Sequence, residues 1–270
     1  MKKMIIAMAC AVIVAGVLLA GFFVLPILHE NDCKNRVFDD LNTRLGEVSG
    51  AVIGIIPRTE QNGAVTYGGG GSGFVFEEKD GVYYALTAAH VVSDKKAVYK
   101  CCNTKKAVET LSDPAIKAAG MTVVDDSFYE SLDDVTVEYV SPHADIAIVS
   151  FKSEQELICL KLAERDPAKD DRLMCLGLLD DRLLSATYGT VTAGLTTATI
   201  DSEKSDNVVE HDAYLTHGNS GGPAVNEGLT AAGMNVGGEY DRFEHFKYGY
   251  LIPASQLKIC INDWNASRQS

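Results

Sequence analysis

Basic charge is scarce. The 270 residues hold 24 Lys and Arg against 37 Asp and Glu, a formal net charge of −13. Phosphate backbones are bound by clustered Lys and Arg, so a nucleic-acid partner is excluded. There is no C-x-x-C and no Cys/His spacing suited to a metal, and no cofactor motif is present. The glycine run Gly68 to Phe74 lacks the Gly-Lys-Ser/Thr ending of a phosphate loop, and no helical pattern follows it. It reads as a flexible approach to a strand. Internal repeats and low-complexity tracts are missing too, as is any regular alternation of strand and helix patterns, which removes the doubly wound α/β classes.

Charge is also missing altogether from residues 4–28. As a helix this stretch would extend roughly 37 Å, enough to span a bilayer core of about 30 Å. A cleaved signal peptide would have a shorter apolar region and a small-residue cleavage site. Ala7-Met8-Ala9 has that shape but comes too early. The segment reads as an uncleaved signal anchor. Lys2 and Lys3 before it, with Glu30 and Asp32 after it, keep residues 1–3 in the cytoplasm and export the remainder. Cleavage would instead give a secreted protein. Residues 29–48 read as a polar tether or short helix, residues 49–262 as one domain, and 263–270 as a short tail.

Seven cysteines are present. Cys10 falls in the apolar segment, leaving Cys33, Cys101, Cys102, Cys159, Cys175 and Cys260. In an exported domain these allow up to three bridges, and buried free thiols are the alternative. Adjacent Cys101 and Cys102 are too close for a usual disulfide with each other.

What remains is β-rich. Ala51 to Ile56 reads as a buried strand. SGFVFEE and VYYALTAA flank Lys79-Asp80-Gly81, a hairpin signal. Leu183 to Ile200 alternates β-branched and small residues with a glycine break in each half. A further hairpin centres on Asn226-Glu227-Gly228. Helical signals are confined to Asp113 to Ala119 and Ala254 to Asn262. Many short strands with turn signals indicate an all-β barrel or sandwich.

Against this background HGNSGGPA, His217 to Ala224, stands out: Ser220 has a glycine two places before it and two directly after. Glycines let a backbone approach closely and aim its N–H groups, and G-x-S-x-G suggests a nucleophile. A serine needs a base, and the base needs an orienting group. His90 ends the apolar run Tyr83 to Ala89, whereas His29, His143, His211, His217 and His245 lie in polar surroundings. Asp145 stands directly before the apolar strand Ile146 to Val149, where an acid is costly without a hydrogen-bond donor. Paired acids such as Asp133-Asp134 read as solvated turns. The order His90, Asp145, Ser220 excludes an α/β-hydrolase, in which acid and base follow the serine.

LTAAHVV, HADIAIVSF and HGNSGGPAV resemble the three signature blocks of trypsin-like serine proteases. GSGFVF, HDAYLTHGNSGGP, GMNV and YGYLIPASQ are most similar to the bacterial HtrA-type branch. The resemblance covers roughly Ser49 to Ile261 and implies two packed antiparallel β-barrels of chymotrypsin type. It implies His90, Asp145 and Ser220 as catalytic residues and the Gly218 and Ser220 N–H groups as the oxyanion hole. It also implies a substrate pocket including Tyr214, Leu215, Asn235 and Gly249. The expected function is a membrane-anchored serine endopeptidase acting on proteins or peptides in quality control or signalling. The position that is acidic in enzymes cutting after Lys or Arg is Tyr214, so cleavage after small or apolar residues is expected. HtrA-type enzymes carry a PDZ domain that this sequence does not include. A latent or inactive protease-fold binding module is the alternative, and a homo-oligomer, a trimer by analogy, is left open.

Overall fold

The computed structural model describes residues 38–104, 126–179, 183–200 and 203–269. The expectations for residues 4–28, for Cys10 and Cys33, and for a turn at 113–119 fall outside them. Among the described residues, no helix is long and apolar enough to cross a membrane. Residues 38–45 belong to a unit separate from Gly46–Ser270 and begin in a short helical stretch; the strands among the described residues all belong to Gly46–Ser270.

Seven strands make the first half. They are β1 (Val52–Gln61), β2 (Ala64–Tyr67), β3 (Gly71–Lys79), β4 (Val82–Thr87), β5 (Val98–Asn103), β6 (Asp133–Val140) and β7 (Ala147–Lys152). Their order is β2-β1-β3-β4-β7-β6-β5, and β5 pairs again with β1. The ring therefore closes, with β2 as an added ribbon. The remaining strands are β8 (Arg172–Leu179), β9 (Leu183–Ile200), β10 (Glu203–His211), β11 (Pro223–Val225), β12 (Ala231–Tyr240) and β13 (Phe246–Pro253). They form a closed barrel in the order β10-β13-β12-β11-β8-β9. Closure leaves no open sheet edge within either ring. The all-β character is what the short apolar runs predict, and two barrels are what the resemblance to trypsin-like proteases implies.

The predicted hairpins are present. Asp80 and Gly81 both have positive φ, 55° and 76°, the conformation of a type I′ turn that joins β3 to β4. Asn226 accepts from the N–H groups of Gly228 and Thr230 through its Oδ1 and so closes the β11–β12 loop. Leu183 to Ile200 forms one unbroken strand, where two glycine breaks were expected. The bending is taken up by register shifts against β10.

Three further expectations are corrected. The glycine run is not a flexible approach, because Gly71 to Val75 are all buried. A Cβ on Gly70 would overlap the Ile55 carbonyl oxygen, and one on Gly73 would lie 2.8 Å from that of Leu86. Glycine is needed there for contact, not mobility. Asp133 and Asp134 open β6 instead of forming a turn, and Asp134 pairs at 2.9 Å with the buried Lys100 ammonium. Of the helices, α1 (Asp126–Glu130) is short, whereas α2 (Ala254–Ser267) runs five residues past the predicted end. Trp264 anchors the extension: it is 1% exposed and packs against Phe76 of β3 and Tyr84 of β4. A helix that leaves the second barrel thus binds the first. Its start is capped from afar by Asp166, which accepts from Ser255 N–H at 2.8 Å and Ser255 Oγ–H at 2.7 Å.

Cys101, Cys102, Cys159, Cys175 and Cys260 are all free thiols, so of the two cysteine readings the free-thiol one holds for these five.

Candidate active site

His90 follows β4 in a short 3-10 turn, Ala89–Val92. The buried Val91 and Val92 pull that turn onto the barrel and leave the imidazole outward. Asp145 lies in the loop that leads into β7. Its Oδ2 is 2.6 Å from His90 Nδ1, and its Oδ1 accepts the His90 backbone N–H at 2.9 Å. One carboxylate therefore fixes the histidine through both main chain and ring. The contact directs Nδ1–H to the carboxylate and leaves Nε2 as the basic nitrogen.

Ser220 sits between the second barrel's β10 and β11. Thr216 and Asn219 tie the loop into a tight turn: Asn219 N–H donates to Thr216 O at 3.1 Å, and Asn219 Oδ1 accepts Thr216 N–H at 3.1 Å. The turn drives Gly218 to φ +95°, a conformation closed to ordinary side chains. Gly221 has φ +86°, and a Cβ on it would strike Ser72 O and Thr87 Oγ1. Gly222 lies as tightly against Leu176 O. The glycines around Ser220 thus serve backbone shape and close packing. Gly218 N–H and Ser220 N–H donate to no other group among the described residues. The Ser220 hydroxyl donates to Val236 O at 3.4 Å, a long bond.

The first barrel meets this loop at Gly71. A Cβ there would touch Val91 at 2.6 Å and Ser220 O at 2.9 Å. The histidine turn and the serine loop therefore converge on one glycine. A cleft of about 530 Å³ opens beside them, lined from the first barrel by His90, His143 and Asp145 and from the second by Ile200, Val236 and Ile252. A smaller pocket of about 180 Å³ is lined by Ser220 itself together with Leu215, Thr216, His217, Asn219, Gly237, Gly238 and Tyr240.

Of the four residues expected in a substrate pocket, Leu215 lines this one. Tyr214 is half exposed and packs edge-on against Phe246, Asn235 is buried with its amide toward Leu176 O and Pro223 O, and Gly249 packs against the His211 ring. Gly237 and Gly238 lie near Asn235 in the chain, the neighbourhood expected, whereas Tyr240 was not anticipated. Tyr240 donates its hydroxyl to Leu215 O and closes the pocket's end. His211, taken as a loop residue, is fully buried on β10 with neither ring nitrogen hydrogen-bonded. Burial pushes its pKa down to about 4, with the neighbouring Asp212 opposing.

Residues 71–234 match the family model described as a trypsin-like peptidase domain. The chain belongs to the trypsin-like peptidase family, and it is similar to members of the HtrA type. It is 24% identical over 244 residues to the Bacillus subtilis protein named serine protease Do-like HtrA, covering 83% of this chain and 48% of that one. It is 28% identical over 126 residues to the Salmonella typhimurium periplasmic serine endoprotease DegP, covering 46% of this chain and 26% of DegP. The chain spans at most about half the length of these relatives.

Proposed function

We propose that this chain is a serine endopeptidase in which Ser220 is the nucleophile, His90 the general base and Asp145 the residue that orients it. His90 takes the Ser220 proton as the oxygen attacks a peptide carbonyl, then returns it to the leaving amine. Asp145 remains ionised and stabilises the imidazolium. The N–H groups of Gly218 and Ser220 receive the oxyanion. Water then releases the acyl group by the same steps in reverse. The observation that carries this reading is the two-point hold of Asp145 on His90, beside a serine loop whose two N–H groups have no other acceptor.

The pocket bounded by Leu215, Gly238 and Tyr240 contains no acid. That supports cleavage after small or apolar residues and disfavours Lys and Arg. The uncharged residues 4–28 support a membrane anchor with the protease domain outside the cytoplasm, where unfolded envelope proteins or a membrane-proximal signalling protein are the proposed substrates.

The Ser220 hydroxyl donates to Val236 O at 3.4 Å. This favours one second reading, a latent protease-fold module, although such bonds often tighten only when substrate is bound. The experiment is incubation of the full chain and Ser220→Ala with reduced casein. Cleavage by the wild type alone establishes the peptidase, and the cut sites give the pocket preference. If neither cleaves and Ser220 takes up no serine-directed phosphonate, the binding-module reading replaces it.

A further inference from the structure

Ser72 lies on β3 of the first barrel and is fully buried. Its contacts nevertheless go to the serine loop of the second. Its backbone N–H donates to Ser220 O at 2.8 Å, and its hydroxyl donates to Gly218 O at 2.6 Å. These are the carbonyls of the two residues whose N–H groups are proposed to hold the oxyanion.

The direction of the second bond is fixed by a third. Leu178 N–H of β8 donates to Ser72 Oγ at 2.8 Å. A hydroxyl has one proton, so with Leu178 donating inward that proton must go to Gly218 O. The resulting relay from Leu178 N–H through Ser72 to Gly218 C=O is polarised in one sense, which strengthens each bond. Gly177 makes room for it, since a Cβ there would stand 3.0 Å from Ser72 Oγ.

The peptide planes of the loop show what the relay holds. The plane between Gly218 and Asn219 is pinned at its carbonyl by Ser72 and at its N–H by Thr216 O. The plane between Ser220 and Gly221 is pinned at its carbonyl by Ser72 N–H and at its N–H by Asn235 O, 2.8 Å away. Ser72 thus fixes a plane on either side of the Ser220 N–H. Holding that carbonyl fixes one of the two peptide planes that meet at Gly218 and so limits the paired φ and ψ changes that would re-aim its N–H. Glycine tolerates many values of both torsions, so an unheld Gly218 would swing its N–H through a wide arc.

Resting on the reading of Ser220 as nucleophile, we propose that the Ser72 hydroxyl is a positioning group that sets the oxyanion-binding N–H groups by holding the Gly218 carbonyl inward. It touches neither substrate nor the reacting atoms. Its effect falls on the transition state, where negative charge develops on the carbonyl oxygen, and not on ground-state binding.

The test compares the full chain with Ser72→Ala, which keeps the N–H contact to Ser220, and with Ser72→Thr, which restores a hydroxyl. Ser72→Ala is expected to lower kcat about 10-fold to 10²-fold, short of the roughly 10²–10³-fold that loss of a donor itself produces. KM should stay within about twofold. Affinity for a peptidyl boronate, which places a negative tetrahedral centre on Ser220, should fall in step with kcat/KM. Ser72→Thr should recover most of both losses. If threonine is too large for the site to fold, Ser72→Cys provides the smaller restoration. Hydrogen exchange supplies a readout independent of activity: amides from Thr216 to Gly222 should exchange faster in Ser72→Ala than in wild type. The proposal is overturned if Ser72→Ala keeps wild-type kcat and boronate affinity, if its loss only tracks the fraction unfolded at assay temperature, or if exchange in the loop is unchanged. A wild type that neither cleaves casein nor reacts with phosphonate refutes the Ser220 reading instead, and loop exchange still decides whether Ser72 holds the loop.

Discussion

Asp145 grips His90 at two points, the ring Nδ1 at 2.6 Å and the backbone N–H at 2.9 Å. The carboxylate therefore determines both where the histidine turn sits and which ring nitrogen carries the proton. Asp145→Asn keeps the shape but can offer an N–H where a lone pair is required, which favours the wrong tautomer. We expect kcat to fall by about 10⁴-fold with little change in melting temperature. Steady-state kinetics beside a thermal melt will check this, and a loss below tenfold would remove Asp145 from the mechanism.

Gly218 and Gly81 form a matched pair for separating backbone strain from catalysis. Both have positive φ, +95° and +76°. Either alanine variant should cost about 1–2 kcal/mol of stability, the penalty of a left-handed Cβ. Only Gly218→Ala should also lower turnover, by about 10²–10³-fold, because its N–H is a proposed oxyanion donor. Gly81 lies at the tip of the β3–β4 turn, and a Cβ there meets nothing within 4 Å. Equal turnover in the two variants would refute the Gly218 assignment.

Much of this site was legible because chemistry leaves strong local marks. A histidine at the end of an apolar run, an acid before one and a serine among glycines are each unusual. What was not legible depends on register. Val209, His211 and Ala213 are buried while Asp212 is exposed, a two-residue alternation that places His211 inside. Its charged neighbours Glu210 and Asp212 concealed that pattern. The lining of the pocket was read only in part for a related reason. A register shift between Asn235 and Gly237 re-aims the strand, so that Gly237, Gly238 and Tyr240 line the pocket and Asn235 does not. Trp264 and the added turns of α2 were hidden because their partners, Phe76 and Tyr84, lie far away in the chain.

Trp264 leads to a stability prediction. It is buried against the first barrel on a helix that grows from the second, with the Arg268 guanidinium 4.6 Å above its ring. Trp264→Ala should cost about 3–5 kcal/mol. A chain ending at Asn262 should lose at least as much. Urea unfolding measures both, and a truncated chain as stable as the full one would mean that the helix end contributes nothing.

His211 makes stability depend on pH in a known direction. Its folded pKa is pushed down to about 4 from the usual 6.5, because burial disfavours the charged ring by more than Asp212 and the Ala213 backbone favour it. Between those values the unfolded chain takes up a proton that the fold refuses, so stability must fall as pH falls. The contribution is fully present above about pH 6.5, declines through the window to about pH 4, and levels off below it. At pH 5 the loss should be about 2 kcal/mol relative to pH 7.5. His211→Leu removes the titrating group, and no well-formed hydrogen bond to either ring nitrogen is lost with it. Its urea midpoint should therefore drop less than that of wild type on moving from pH 7.5 to pH 5. Identical pH slopes for the two proteins would show that other groups carry the acid sensitivity and that His211 is reached by solvent before the barrel unfolds.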